Sequence, residues 1–109
     1  MPSNKAPSTD AEPAINIDEI DEVIHGRLRL GIMAYLSAVN PASFPELLAK
    51  TGSSNGNLST HLSKLEAAGY VSQEKGYQGK RPQTLVHLTA AGRKAWIQYL
   101  EAMKELLGN

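Results

Sequence analysis

The 109-residue chain predicts an α+β fold that is mainly α, with one domain over residues 15–109 behind a polar tail at 1–14. Three observations predict it. Apolar residues recur at helical spacing in four separate stretches. Two short stretches, 70–75 and 84–88, read as strands joined by a loop with two glycines, which makes a hairpin. Capping and breaking residues fall in the gaps, so the order is helix, helix, helix, strand, strand, helix.

The tail comes first. Pro2, Pro7 and Pro13 stand among Ser, Asn, Lys, Thr and Asp. Such a stretch cannot bury enough apolar surface to order itself, so it is expected to be disordered. The first helix is expected near Ile17 or Asp18, because Asp18, Glu19, Asp21 and Glu22 suit the positive end of a helix. Ile20, Ile24, Leu28, Met33 and Leu36 follow at roughly helical spacing, with Gly26 and Gly31 interrupting the pattern. Asn40-Pro41 ends it, since a residue before proline is pushed out of the helical region.

Ser43-Phe44-Pro45-Glu46 starts the second helix. Ser43 can cap, Pro45 is tolerated in the first turn, and Glu46 stands three residues on as in a capping box. Thr51-Gly52-Ser53 breaks it. The third helix runs from about Ser54 to Ala68 and stops at Gly69. After the hairpin, Thr89 caps a last helix reaching about Leu107. Its apolar stripe is Trp96, Tyr99, Leu100, Met103, Leu106 and Leu107.

Composition narrows the function. There is no cysteine, which excludes disulfides and thiolate metal sites. No apolar run follows the N-terminus, and no apolar stretch approaches ~20 residues, so neither a signal peptide nor a membrane span is expected. A cytoplasmic location is the expectation. The net charge is zero but unevenly spread. Residues 1–26 carry six acids against Lys5, whereas 50–94 carry seven basic residues against Glu66 and Glu74. That asymmetry suits a protein with one face toward a polyanion.

Two short helices joined by a tight glycine-containing turn form a helix-turn-helix candidate. In its second helix Leu58, Leu62 and Leu65 are spaced to face a core. Counting about 100° per residue from Leu58, Asn57, Thr60 and Lys64 lie at roughly 260°, 200° and 240°, opposite that core. Ser59 and His61 flank them at roughly 100° and 300°. Asn can pair with adenine edges, Ser and Thr with several bases, and Lys64 with guanine or a phosphate. Ser54, Asn55 and Asn57 in the first turn offer backbone N–H groups to a phosphate. A merely solvated face normally mixes Glu with Lys, and here the first acid is Glu66. Lys75, Lys80 and Arg81 surround the hairpin tip, with Tyr77 between, and suit contact with a phosphate backbone or a minor groove.

The run Gly56-Asn57-Leu58-Ser59-Thr60-His61-Leu62-Ser63-Lys64-Leu65-Glu66-Ala67-Ala68-Gly69-Tyr70-Val71 resembles the signature of a family of small winged helix-turn-helix transcriptional regulators akin to MarR and ArsR proteins. Lys75 through Thr84 and Leu88-Thr89-Ala90-Ala91-Gly92-Arg93 resemble that family's wing and the entry to its final helix. His25 through Ile32 resembles its first helix. The resemblance implies a homodimer built from N- and C-terminal dimerisation helices, with a recognition helix in the major groove of double-stranded DNA and a wing beside it. It carries the DNA-contact role to Asn57, Ser59, Thr60, His61 and Lys64, with Lys80 and Arg81 in the wing.

Other chemistries fare poorly. His25, His61 and His87 lie in different elements; only His25 has carboxylates nearby, Asp21 and Glu22, which also suit a plain helix start. No nucleophile elbow, phosphate loop or metalloprotease motif occurs, so no enzymatic activity and no cofactor are expected. Trp96 and Tyr99 are expected to pack rather than to line an effector pocket. The competing reading is a winged-helix module that binds protein instead of DNA.

Overall fold

The computed structural model describes residues 16–108, so the expected disordered tail at 1–14 lies outside the described residues. A short 3-10 turn, Ile17–Glu19, leads to α1 (Arg27–Ala38), β1 (Ala42–Ser43), α2 (Phe44–Thr51), α3 (Asn55–Ala67), β2 (Val71–Gln78), β3 (Arg81–Leu88) and α4 (Ala90–Leu106). The three strands form one antiparallel sheet in the order β1-β3-β2.

The first helix starts some ten residues later than the acidic run suggests. Asp21 explains the difference: its Oδ1 accepts from the N–H groups of Val23 at 2.8 Å and Ile24 at 3.3 Å. Its other oxygen accepts from the Tyr70 hydroxyl at 2.5 Å. A carboxylate bonding its own backbone offers the chain an alternative to the helical ladder. Gly26 then sits extended at φ −144°, ψ 138°, and α1 begins after it. Asp18 and Glu19 therefore stand in the short 3-10 turn, and none of the four acids lies in the first turn of α1.

α2 follows its sequence signals closely. Ser43 Oγ accepts from the Glu46 N–H at 3.1 Å, and the Glu46 carboxylate accepts from the Ser43 N–H at 3.3 Å. The Tyr35 hydroxyl also donates to Glu46, joining α1 to α2. These bonds hold the Glu46 carboxyl below its ordinary range and push Tyr35 up. Gly52 ends α2 in the left-handed region (φ 67°), which glycine enters without steric cost, and so makes the sharp turn into α3.

The core gathers Ile24, Ile32, Met33 and Leu36, Leu47 of α2, and Leu58, Leu62 and Leu65 of α3, all fully buried, under Val71, Val86 and Leu88 of the sheet. Each large side chain removed from water contributes about 1.5–3 kcal/mol. β1 was not legible as a strand, being two residues long; Ala42 pairs with Val86 and Ser43 with Leu85. Asn40 lengthens that edge, its Oδ1 accepting from the Leu88 N–H at 2.9 Å.

The hairpin also departs from expectation. Its strands are longer and the loop between them shrinks to a two-residue tip, Gly79-Lys80, with Gln78 paired to Arg81. Gly79 takes φ 65°, which permits so tight a reversal. In α4 only Tyr99 of the expected stripe is buried; Trp96 stacks on it at 5.8 Å, while Leu100, Leu106 and Leu107 are exposed.

Candidate nucleic-acid interface

α3 presents two opposed faces. Leu58, Leu62 and Leu65 are wholly buried, while Asn57, Ser59, Thr60 and Lys64 are exposed. Ser54 is the N-cap, and its Oγ accepts from the Asn57 N–H at 3.2 Å. The Leu58 N–H donates to the Ser54 carbonyl at 3.0 Å. Asn55 and Gly56 N–H groups therefore precede the intrahelical ladder at an exposed helix start. Ser54 is thus committed to capping, with Asn55 beside it at the surface.

His61 differs from its neighbours. It is half-buried, and its Nδ1 lies 2.8 Å from Arg29 Nη1 on α1. Desolvation, then the Arg29 and Lys64 charges, hold the imidazole below its ordinary pKa. A guanidinium has no acceptor, so Nδ1 is unprotonated here. Sequence reasoning missed Arg29, since nothing local marks an arginine that folds back toward a residue 32 positions on.

The hairpin divides its cations. Side chains alternate across a strand, so Lys75 and Tyr77 share the face that carries buried Val71 and Val86 at its root. Arg81 lies on the opposite face with Gln83 and His87, and Lys80 occupies the tip. The three cations are all exposed but do not form one cluster. His87 Nε2 contacts Glu74 at 2.9 Å on the Arg81 face, placing an acid within the ribbon. At its base α3 is tied to β2 by Gln73 donating to Glu66 at 2.9 Å.

A further feature was not legible in the sequence. An open groove of about 830 Å³ runs along α1 and is closed by the α2–α3 turn. Asn57 lines it together with Lys50 and Arg27. Lys50 Nζ lies 5.9 Å from the Tyr35 ring centroid. The site therefore joins an acid-free polar helix face to cations from α1 and α2, a combination that can contact both base edges and phosphates.

No helix among the described residues is long and apolar enough to cross a membrane. His25, considered above beside Asp21 and Glu22, bonds instead through Nδ1 to the Tyr99 hydroxyl at 2.8 Å.

Four helices, a three-stranded sheet and a basic hairpin after the second helix of a helix-turn-helix define a winged helix-turn-helix domain of the DNA-binding class. The sequence model described as a winged helix DNA-binding domain matches residues 28–107, and the chain belongs to that family, with MarR-like transcriptional regulators among its structural neighbours. An uncharacterized protein of Methanocaldococcus jannaschii is 31% identical over 88 residues, covering 81% of this chain and 96% of that one. An uncharacterized HTH-type transcriptional regulator of Bacillus subtilis, YcgE, is 39% identical over 56 residues, covering 51% of this chain but 36% of its own length. The structure of a transcriptional regulator homologue from Pyrococcus horikoshii superposes with a TM-score of 0.73 at 29% identity, covering 78% of this chain and 84% of that one.

Proposed function

We propose that the protein is a homodimeric, sequence-specific transcriptional regulator that places α3 in the major groove of double-stranded DNA and lays the β2–β3 hairpin along the backbone or into a minor groove. The observation that carries this reading is the division of α3: a fully buried leucine face opposite an exposed Asn57, Ser59, Thr60 and Lys64 face that is free of acid up to Glu66. Asn57 and Thr60 supply base contacts, whereas Lys64, Lys80, Arg81 and Lys50 supply phosphate contacts and most of the affinity. In a dimer the two recognition helices stand about 34 Å apart, one turn of duplex.

Exposed apolar residues support the dimer. Ile97 and Leu100 lie on one side of α4 with Leu107 just past its end, and Ile17 and Leu106 line a neighbouring cavity of about 450 Å³. Such a surface is costly to leave in water. A gel-shift titration on random duplex at low and high salt tests the DNA reading. Affinity that falls with a log–log slope of about −0.9 per neutralised phosphate supports it. Binding indifferent to salt, or none, favours a protein-binding module instead.

A further inference from the structure

The Arg29 side chain doubles back from the first turn of α1. Its Nε donates to the Val23 carbonyl at 2.5 Å, and its Nη1 donates to Nδ1 of His61 at 2.8 Å. Since Nδ1 accepts, the imidazole is neutral and its proton sits on Nε2. Gly26 makes room for this. A Cβ at that position would stand 2.6 Å from Arg29 Nη2 and 2.8 Å from Cζ. The Gly26 backbone is extended, a conformation open to any residue. The space a side chain would take there is filled by the guanidinium, so a methyl group at this position displaces Arg29 without altering the path of the chain.

The piece of chain that Arg29 grips is itself anchored. Asp21 accepts from Tyr70 beyond the end of α3, and His25 bonds Tyr99 on α4. The charged groups facing His61 are Arg29 from α1 and Lys64 from its own helix, and both oppose a proton on the ring. A surface imidazole facing only phosphates would instead gain a useful charge on acidification.

We infer that Arg29, seated over Gly26, is a positioning residue for DNA reading: it holds His61 as the neutral Nε2–H tautomer and thereby fixes the outward face of α3 relative to the segment before α1. The inference rests on the reading of α3 as the recognition helix. It gives pH dependence an unusual sign. Protonating Nδ1 expels the guanidinium, so discrimination between sequences falls as the solution is acidified, although the protein becomes more cationic.

The test uses the full chain with Gly26→Ala and Arg29→Lys. The first keeps every charge but fills the seat; the second keeps the charge but offers one compact ammonium in place of a fork that spans two acceptors. Long-range proton–nitrogen NMR on the free protein reads the His61 tautomer. Gel shifts read discrimination between a duplex selected from a random library and its scrambled version. The wild type is expected to show the Nε2–H form, and both variants a tautomer mixture with His61 titrating nearer its ordinary pKa. Both variants are expected to lose about tenfold in discrimination, the scale of one base-pair contact, with the salt slope on scrambled duplex unchanged. Thermal melts monitor folding, and Arg29→Lys decides alone if Gly26→Ala does not fold. An unaltered tautomer in the folded variants overturns the clamp. An altered tautomer with full discrimination overturns the positioning role. A wild type that binds neither duplex overturns the DNA reading and the positioning role with it, while the imidazole signal, read without DNA, separates that failure from a failure of the clamp.

Discussion

Gly92 and Gly31 both lie inside helices, and intrinsic propensity treats them alike: replacing either by alanine is worth about 1 kcal/mol of added stability. The structure separates them. A Cβ at Gly92 would stand 2.1 Å from the Tyr70 carbonyl oxygen and 2.8 Å from Leu88 Cδ1. The oxygen is backbone and already accepts the Thr89 N–H at 3.1 Å. To admit the methyl group, the first turn of α4 must move off the Tyr70 carbonyl by more than 1 Å, about the shortfall from ordinary contact. Overpacking of this kind costs roughly 1–3 kcal/mol. Loosening the Thr89 cap on the Gly92 N–H, now 2.9 Å, adds about 1 kcal/mol. Against the propensity gain, Gly92→Ala is expected to destabilise by roughly 1–3 kcal/mol, or about 4–24 °C in Tm at 4–8 °C per kcal/mol. Gly31→Ala meets nothing within 4 Å and is expected to raise Tm. Urea and thermal unfolding of the two variants at one protein concentration check this. A Gly92→Ala protein as stable as the wild type would refute the packing argument, as would equal losses for both.

Four further predictions follow from the site and its supports. Arg81→Ala is expected to weaken all duplexes alike and reduce the salt slope by about 0.9 per protomer, whereas Asn57→Ala loses discrimination at one base pair, about 1–3 kcal/mol; equal losses on every sequence would contradict that division. Leu100→Glu with Leu106→Glu is expected to give a folded monomer by size-exclusion chromatography, because both side chains are exposed, at 47% and 42%; a persisting dimer would exclude this face. Tyr70 is pushed up to about 12 by its bond to Asp21, then by burial. A folded pKa above the ordinary one means stability fully present below pH ~10 and lost as pH rises through the folded value, so Tyr70→Phe, costing about 1 kcal/mol at neutral pH, should converge with the wild type in alkaline melts. His61 is depressed instead, so its contribution is whole above pH ~6.5 and lost as pH falls through its lower folded pKa; His61→Asn should flatten that acid limb in a stability–pH profile.

Much of the fold was legible because its signals are local. Ser43 and Glu46 stand three apart and cap each other within one turn. Leu58, Leu62 and Leu65 repeat at the period of a helix, which fixed both the buried face of α3 and, by subtraction, the exposed Asn57, Thr60 and Lys64. The acidic run begins only a 3-10 turn, with Asp18 and Glu19 in it, because Asp21 bonds the Val23 and Ile24 N–H groups and is held there by Tyr70, 49 positions away. The wing is legible in the sequence, but the placing of its cations is not; the two-residue tip and the pleat put Lys75 and Arg81 on opposite faces.

Sequence by itself determined α2, α3, the hairpin and α4 with their caps, the leucine face and the acid-free face opposite it, since each depends on groups within a turn or two of one another. Tertiary structure alone decided that His61 is bonded to Arg29, that the Arg29 guanidinium fills the space beside Gly26, that Asn57 shares a groove with Lys50 and Arg27, and that Leu100 and Leu106 of α4 stay exposed on the single chain. Those outcomes depend on which distant segments meet, and the free energy of such contacts is set by packing and desolvation at the meeting point, which no local pattern of residues encodes.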